Sequence, residues 1–258
     1  MTNVESRLEK IYENGYEFRL MDYINRGFNI FGKKSAFFIG FFIIQICIGM
    51  FLGAIPHVGQ IVSWVISGAL TAGYYIVADK TDRDEYLDFS NFFDGFKLFS
   101  PLFLCSLISF VLVIVAFIPL MIYFFTVFRI TEMPSTMEIP YIVKNMNYSI
   151  IIGYMFLVGL IVLMFSYAPL FVIFDKMGVM EANIASVKIA VKNFGYLVLF
   201  LILWICIMGI SALPCGLGLL VTLPAFYCSI YAAWSDITGY NPDENIDESD
   251  DILRHLID

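Results

Sequence analysis

The sequence predicts an all-α, polytopic transmembrane helical bundle: six spans arranged as three hairpin repeats, each preceded by an amphipathic interfacial helix. Three observations predict it. Hydrophobic residues make up 60% of the 258 and charged residues 15%, against roughly 25% charge in soluble domains, and the mean hydropathy is +0.81. Long stretches such as Ser35–Ala78, Leu98–Phe128 and Phe194–Ser235 carry no Asp, Glu, Lys or Arg. At ~1.5 Å per helical residue, ~20 residues cross the ~30 Å hydrocarbon core, so the first and last stretches are long enough to cross twice. Pro and Gly then mark where each helix must turn.

Residues 1–35 are predicted to be cytoplasmic or interfacial amphipathic helices. Val4, Leu8 and Ile11 share one helical face, and Asn14-Gly15 breaks that helix. Leu20, Tyr23, Ile24, Gly27, Phe28 and Phe31 form a second stripe. Such a helix can lie in the headgroup plane with its apolar face down, or dock on the bundle. This charged segment has no apolar core flanked by a small-residue cleavage site, so it does not read as a removable signal peptide.

The transmembrane domain is 36–235, with spans at about 36–55, 60–78, 99–118 with a kinked extension to 128, 150–174, 195–213 and 218–235. The first hairpin turns at Ile55-Pro56-His57-Val58-Gly59 and the last at Leu213-Pro214-Cys215-Gly216-Leu217-Gly218. Pro119 kinks the third span. Ahead of that span, Phe89, Phe92, Phe93, Phe96 and Phe99 recur at helical spacing opposite Ser90, Asn91, Asp94 and Lys97, as in an interfacial helix. Ahead of the fifth, Met180, Ile184, Val187 and Val191 line one face, with Glu181, Lys188 and Lys192 off it. Residues 129–149 are a polar connection. Residues 236–258 are an acidic cytoplasmic tail, in which Asn241–Asp258 sets seven acids against Arg254. Ile252, Leu253, Leu256 and Ile257 give the tail a short stripe, so a docking helix and a disordered tail are both open.

The repeat is read from a shared order of features. Gly27-Phe28-Asn29-Ile30-Phe31 parallels Gly95-Phe96-Lys97-Leu98-Phe99 and, more loosely, Ala190-Val191-Lys192-Asn193-Phe194. Each is followed by an apolar run closing on Pro56, Pro119 or Pro214, and each unit ends at an Asp: Asp79, Asp175 or Asp236. Orientation follows from the cations. Thirteen of the 15 Lys and Arg fall on the side of both termini, leaving Arg129 and Lys144 opposite, so both termini are expected in the cytoplasm. Tyr74, Tyr75, Tyr196 and Trp234 fall near inner ends of spans, as an aromatic belt would.

Chemistry-bearing residues are sparse. The six predicted spans hold no ionisable carboxylate or amine, which removes the usual relay for ion-coupled transport. Two histidines, His57 and His255, exclude a His-rich metal site. The acidic runs lack calcium-loop spacing, and no phosphate-cradling glycine motif occurs. No cofactor and no catalytic constellation are expected. The five cysteines form no CxxC pair and read as packing residues, with Cys215 at a corner the one to test for reactivity. Gln45, Gln60, Ser67, Thr71 and Ser229 are the candidate cavity-lining residues; glue between helices is the alternative role for the glutamines. Gly49-xxx-Gly53, Ser63-xxx-Ser67-xxx-Thr71 and Ala225-xxx-Ser229-xxx-Ala233 are small-residue stripes for close helix approach.

Asp22-Tyr23-Ile24-Asn25-Arg26-Gly27-Phe28, Phe92-Phe93-Asp94-Gly95-Phe96-Lys97, Ala185-Ser186-Val187-Lys188 and Gly216-Leu217-Gly218-Leu219-Leu220-Val221-Thr222-Leu223-Pro224 resemble uncharacterised bacterial six-span membrane proteins. These include relatives of the membrane domain found on some glycerophosphodiester phosphodiesterases. The resemblance covers roughly residues 20–240 and implies the bacterial cytoplasmic (inner) membrane. No phosphodiesterase domain is present, so that activity does not carry over. The first expectation is a non-enzymatic scaffold or accessory subunit; the alternative is a transporter or lipid-handling protein for a small apolar or amphiphilic molecule. Expected partners are membrane lipid and a membrane or basic cytoplasmic protein met by the acidic tail. Nucleic acid is excluded by a net charge of −8.

Overall fold

A computed structural model describes residues 3–128 and 147–240, and every regular element among them is helical. The predicted connection 129–146 and the acidic tail with its Ile252–Ile257 stripe lie outside the described residues. In chain order the elements are α1 (Asn3–Asn14), α2 (Leu20–Lys33), α3 (Ser35–Gly53), α4 (Val58–Asp82), a 3-10 helix (Phe89–Leu98), α5 (Phe99–Phe128), α6 (Tyr148–Met164), α7 (Ala168–Phe174), α8 (Val179–Lys192), α9 (Phe194–Ala212) and α10 (Leu219–Thr238).

Five segments are long and apolar enough to cross a membrane: Ser35–Gly53, Val58–Asp82, Phe89–Tyr123, Tyr148–Phe174 and Phe194–Ala212. The predicted sixth span, 218–235, corresponds to α10, which is not among the five. Its Thr, Ser, Tyr and Asp side chains dilute its apolar content, and its second half is buried in protein. The spans, by contrast, show large apolar side chains such as Met50, Phe51, Val115, Ile122 and Ile205 on their outer surfaces. Soluble monomers rarely expose patches beyond a few hundred Å²; lipid tails are the solvent that fits these.

Packing is uneven along the bundle. At the charged end, α1, α2, α7, α8, the end of α4 and the second half of α10 make one closed core. Its central seam is α2 against α10. Gly27 faces Ser229 so closely that a Cβ there would overlap Ser229 Oγ and lie 2.7 Å from Ser229 Cα. The Ala225-xxx-Ser229-xxx-Ala233 stripe is therefore a packing surface within the chain. Leu20, Tyr23, Ile24, Gly27 and Phe31 are buried here, so α2 docks on the bundle and its apolar face meets protein. Phe28 stacks on Trp204. On α1, Leu8 and Ile11 are buried as their stripe predicts.

An arginine–aspartate lattice ties this end together. Arg7 pairs with Asp175 at 2.8 Å and also donates to the carbonyls of Thr238 and Gly239 at the end of α10. Arg19 pairs with Asp236, which also accepts from the Tyr23 hydroxyl at 2.8 Å. Arg26 pairs with Asp82. Arg83 pairs with Asp79, which accepts from the Tyr231 hydroxyl at 2.9 Å. The Asp that closes each predicted hairpin unit thus has its own arginine. The pairs differ in worth. Arg19–Asp236 is half-exposed, so solvent and salt screen it and it adds little to stability. Arg7–Asp175 is buried, so removing its arginine costs about 3–5 kcal/mol through the stranded carboxylate.

Several expectations are corrected. The span read as 60–78 continues one turn to Asp82, which puts Asp79 inside the helix and buried, so the spans are not free of charge. The span read as 150–174 is two helices. Pro169 has no N–H and its ring would strike the carbonyl four residues back. Around the break the Phe165 carbonyl accepts from the Ala168 N–H at 3.2 Å, the Leu163 carbonyl from the Ser166 hydroxyl at 2.7 Å and the Met164 carbonyl from the Ser186 hydroxyl of α8 at 2.6 Å. The span at 99–118 with its extension to 128, by contrast, coincides with one helix, Phe99–Phe128, which holds Pro119.

The phenylalanine stripe forms a 3-10 helix, started by a capping box between Asp88 and Asn91. With three residues per turn, the inward face is Phe89, Phe92, Gly95 and Leu98. Phe93, Phe96 and Phe99 point outward. Gly95 lies against α4, where a Cβ would overlap the Ala69 carbonyl. The stripe assigned to α8 is also its outer face. Met180, Ile184 and Val191 are exposed, whereas Ala182, Asn183, Ala185, Ser186, Ile189 and Ala190 are buried, because only small side chains allow the close approach. Of the predicted aromatic belt, Tyr74, Tyr75 and Trp234 are core residues and Tyr196 alone is exposed. The Gly49-xxx-Gly53 stripe has nothing within 4 Å of either position.

Two predictions follow from this packing. Gly27→Val should destabilise the protein by about 1–3 kcal/mol through overpacking, whereas Gly49→Val should leave the melting temperature in detergent unchanged; equal behaviour of the two variants would refute the seam. Burial pushes the Asp175 carboxyl above its ordinary range, and Arg7 pulls it back only in part. The folded state therefore holds that proton more tightly than the unfolded chain. Its stabilising contribution is present below the ordinary carboxylate pKa and is lost as pH rises through the folded value. Wild type should accordingly lose stability relative to Asp175→Asn as pH rises from 4 to 7. A melting-temperature difference that stays constant across that range would contradict this.

Candidate functional site

Away from the charged end a cleft of about 620 Å³ lies between α4, α5, α6, the α6–α7 break, α9 and α10. Ligand pockets commonly measure about 300–1,000 Å³. α4 contributes Trp64, Thr71 and Tyr75, and α5 contributes Cys105, Ser106, Ser109, Phe110 and Val113. The far wall is Met155, Val158, Gly159 and Val162 of α6, Ser166 and Pro169 at the break, Leu201 of α9, and Phe226, Tyr227 and Ile230 of α10.

The sequence builds each wall by a local rule. On α5, Cys105, Ser106, Ser109, Phe110 and Val113 recur at i, i+1, i+4, i+5 and i+8, one face of a helix. On α4, Gly68 lets α5 approach: a Cβ there would come 2.7 Å from Ser106 Oγ. Trp64 and Tyr75 are eleven positions apart on α4, a rise of about 16 Å, or half of a ~30 Å hydrocarbon core. Adjacent spans run antiparallel, so Trp64, Phe110, Val113 and Met155 line one end, where the Trp64 and Phe110 rings lie 4.3 Å apart. Tyr75, Cys105, Ser166 and Ile230 line the end nearer the arginine–aspartate lattice. Phe110, Met155 and Val162 are also exposed on the outer surface, so the cleft opens towards lipid on the α5–α6 side.

The lining holds no charged group; its polarity comes from hydroxyls. Ser106 donates to the Leu102 carbonyl at 3.0 Å, Ser109 to Cys105 at 3.3 Å and Ser166 to Leu163 at 2.7 Å. Behind the wall, Asn183 donates to Val179 O at 2.7 Å and lies 3.5 Å from Cys105 Sγ. Among the described residues no group of three or more His, Cys, Asp or Glu is placed to hold a metal ion.

Of the five candidate lining residues, only Thr71 reaches the cleft. Gln45 joins α3 to α4 by accepting from the Tyr74 hydroxyl at 2.8 Å. Gln60 is exposed near the start of α4. Ser67 donates to the Trp64 carbonyl at 2.6 Å and lies outside the lining. Ser229 is buried beneath Gly27 and donates to the Ala225 carbonyl. Tyr75, Ser106, Ser109, Ser166 and Tyr227 were not anticipated. The α5 face pattern was the available signal, since it sets two serines among apolar residues on one stripe. Cys47, Cys206 and Cys215 are exposed free thiols, and Cys105 and Cys228 are buried.

Comparison of the chain with family models, with curated proteins and with solved structures returned no match, so the family resemblance rests on the sequence motifs alone.

Proposed function

We propose that the chain is a multi-pass protein of the cytoplasmic membrane that holds a lipid-sized apolar or amphiphilic molecule between its spans. The cleft carries this reading: it is large, uncharged, walled by apolar side chains and open towards lipid at Phe110, Met155 and Val162. A scaffold would be favoured by a core filled along its whole length, and here the cleft interrupts the packing between α4, α5, α6, α9 and α10. In this reading α10 is the sixth span, since its 20 residues rise about 30 Å. The excess of Lys and Arg on the side of both termini supports a cytoplasmic location for them.

Handling here means binding and release, because the lining supplies no ion-coupling carboxylate. The lattice at the charged end holds the helix ends fixed, while the α5–α6 face at Phe110, Met155 and Val162 provides the way in.

Native mass spectrometry of protein extracted from its own membrane should show a retained amphiphile. Ser109→Trp and Val158→Phe, which fill the cleft from opposite walls, should each lower its occupancy at least tenfold while the protein stays monodisperse. Undiminished occupancy in both variants would remove the cleft from the account.

A further inference from the structure

We infer that the cleft selects an uncharged amphiphile with an alcohol head, such as a diacylglycerol, over anionic lipids; this deepens the binding reading above and rests on it. The inference comes from the direction of the hydrogen bonds in the wall. Ser106, Ser109 and Ser166 each spend their single proton on a carbonyl of their own helical segment. A hydroxyl oxygen has two lone pairs besides its proton. What these serines can offer a ligand is therefore acceptor capacity, and three of them line one cleft.

Tyr75 supplies the complement. It lines the same cleft and its hydroxyl has no hydrogen-bond partner among the described residues. It can donate to a ligand oxygen. A head that both donates to serine and accepts from Tyr75 meets both demands with one group, and an alcohol is the smallest such head. A carboxylate or a fully ionised phosphate only accepts. It would face the serine lone pairs with no lysine or arginine in the lining to balance its charge, and a desolvated, unpaired anion is strongly disfavoured. The apolar walls then take the acyl chains, with Trp64 and Phe110 at the far end.

The test uses the full chain in lipid nanodiscs of phosphatidylcholine. Three probes with identical acyl chains are compared by native mass spectrometry: a diacylglycerol, its O-methyl ether, and the corresponding phosphatidic acid. The ether keeps the oxygen and loses the proton. The diacylglycerol is expected to bind at least tenfold more tightly than either of the others. In the triple variant Ser106→Ala, Ser109→Ala, Ser166→Ala, its advantage over the ether should vanish while ether binding is unchanged. Each serine bonds a carbonyl of its own segment, and the Leu163 carbonyl keeps the Ser166 backbone N–H at 3.1 Å, so unchanged ether binding reports that the variant is folded. Equal binding of alcohol and ether to the wild type, or preferred binding of phosphatidic acid, overturns the head-group inference alone. Displacement of all three by the phosphatidylcholine of the disc does the same. Absence of any bound acyl lipid overturns both the inference and the binding reading beneath it.

Discussion

The last helix sets the terms on which the rest of the protein packs. α10 carries Ser229, Tyr231, Ser235, Asp236 and Thr238 in its second half, and hydrocarbon offers none of them a partner. The hydroxyls of Ser229, Ser235 and Thr238 turn back to their own helix. Tyr231 and Asp236 cannot, and reach Asp79 on α4 and Tyr23 on α2. Those bonds require α2 to lie close along α10, which Gly27 permits and any larger residue would prevent. Once α2 is seated, Arg26 falls beside Asp82 and Arg19 beside Asp236. The charged end is thus the consequence of one helix too polar for oil.

The open end follows from the same physics in reverse. Between apolar helices in lipid no hydrophobic force draws the surfaces together, because tails solvate them as well as neighbouring side chains do. Contact there depends on shape. α3 and α9 present few small residues to neighbours, and the glycines at 49 and 53 meet nothing. Where α4 and α5 touch, Gly68 and Ser106 supply the fit and the Trp64 and Phe110 rings meet beyond it, so the cleft lies between this pair and α6, α9 and α10. A filled core at one end and a cleft at the other need no separate explanations.

Much of the helical plan was legible from residue patterning. Pro56 and the Cys215–Gly218 corner place two turns within a residue or two of where they occur. Pattern failed where helices pack by small residues. A hydrophobic stripe on α8 pointed outward, because Ala182, Ala185 and Ala190 carry too little apolar weight to advertise the buried face. It failed again at Phe89–Leu98, where a period of three replaced 3.6 and moved the buried face from Phe96 to Gly95. The cleft was nearly invisible beforehand. Amides and small-xxx-small stripes are conspicuous in a sequence, yet Gln45 and Ser229 proved to be structural. Ser106 and Ser109 are ordinary residues in an ordinary helix, and only the space left between α4, α5, α6, α9 and α10 gives them something to face.

The unequal lengths of the spans have a consequence for the surrounding bilayer. α3 and α9 have 19 residues each, about 28 Å of rise, while the 30 residues of α5 rise about 45 Å. No single membrane thickness suits both. Lipid beside α3 and α9 must thin slightly, and lipid beside α5 must thicken or the helix must lean, each at a fraction of a kcal/mol per Å. The protein therefore imposes a gradient of thickness across its own width, from the short α3 and α9 to the long α5.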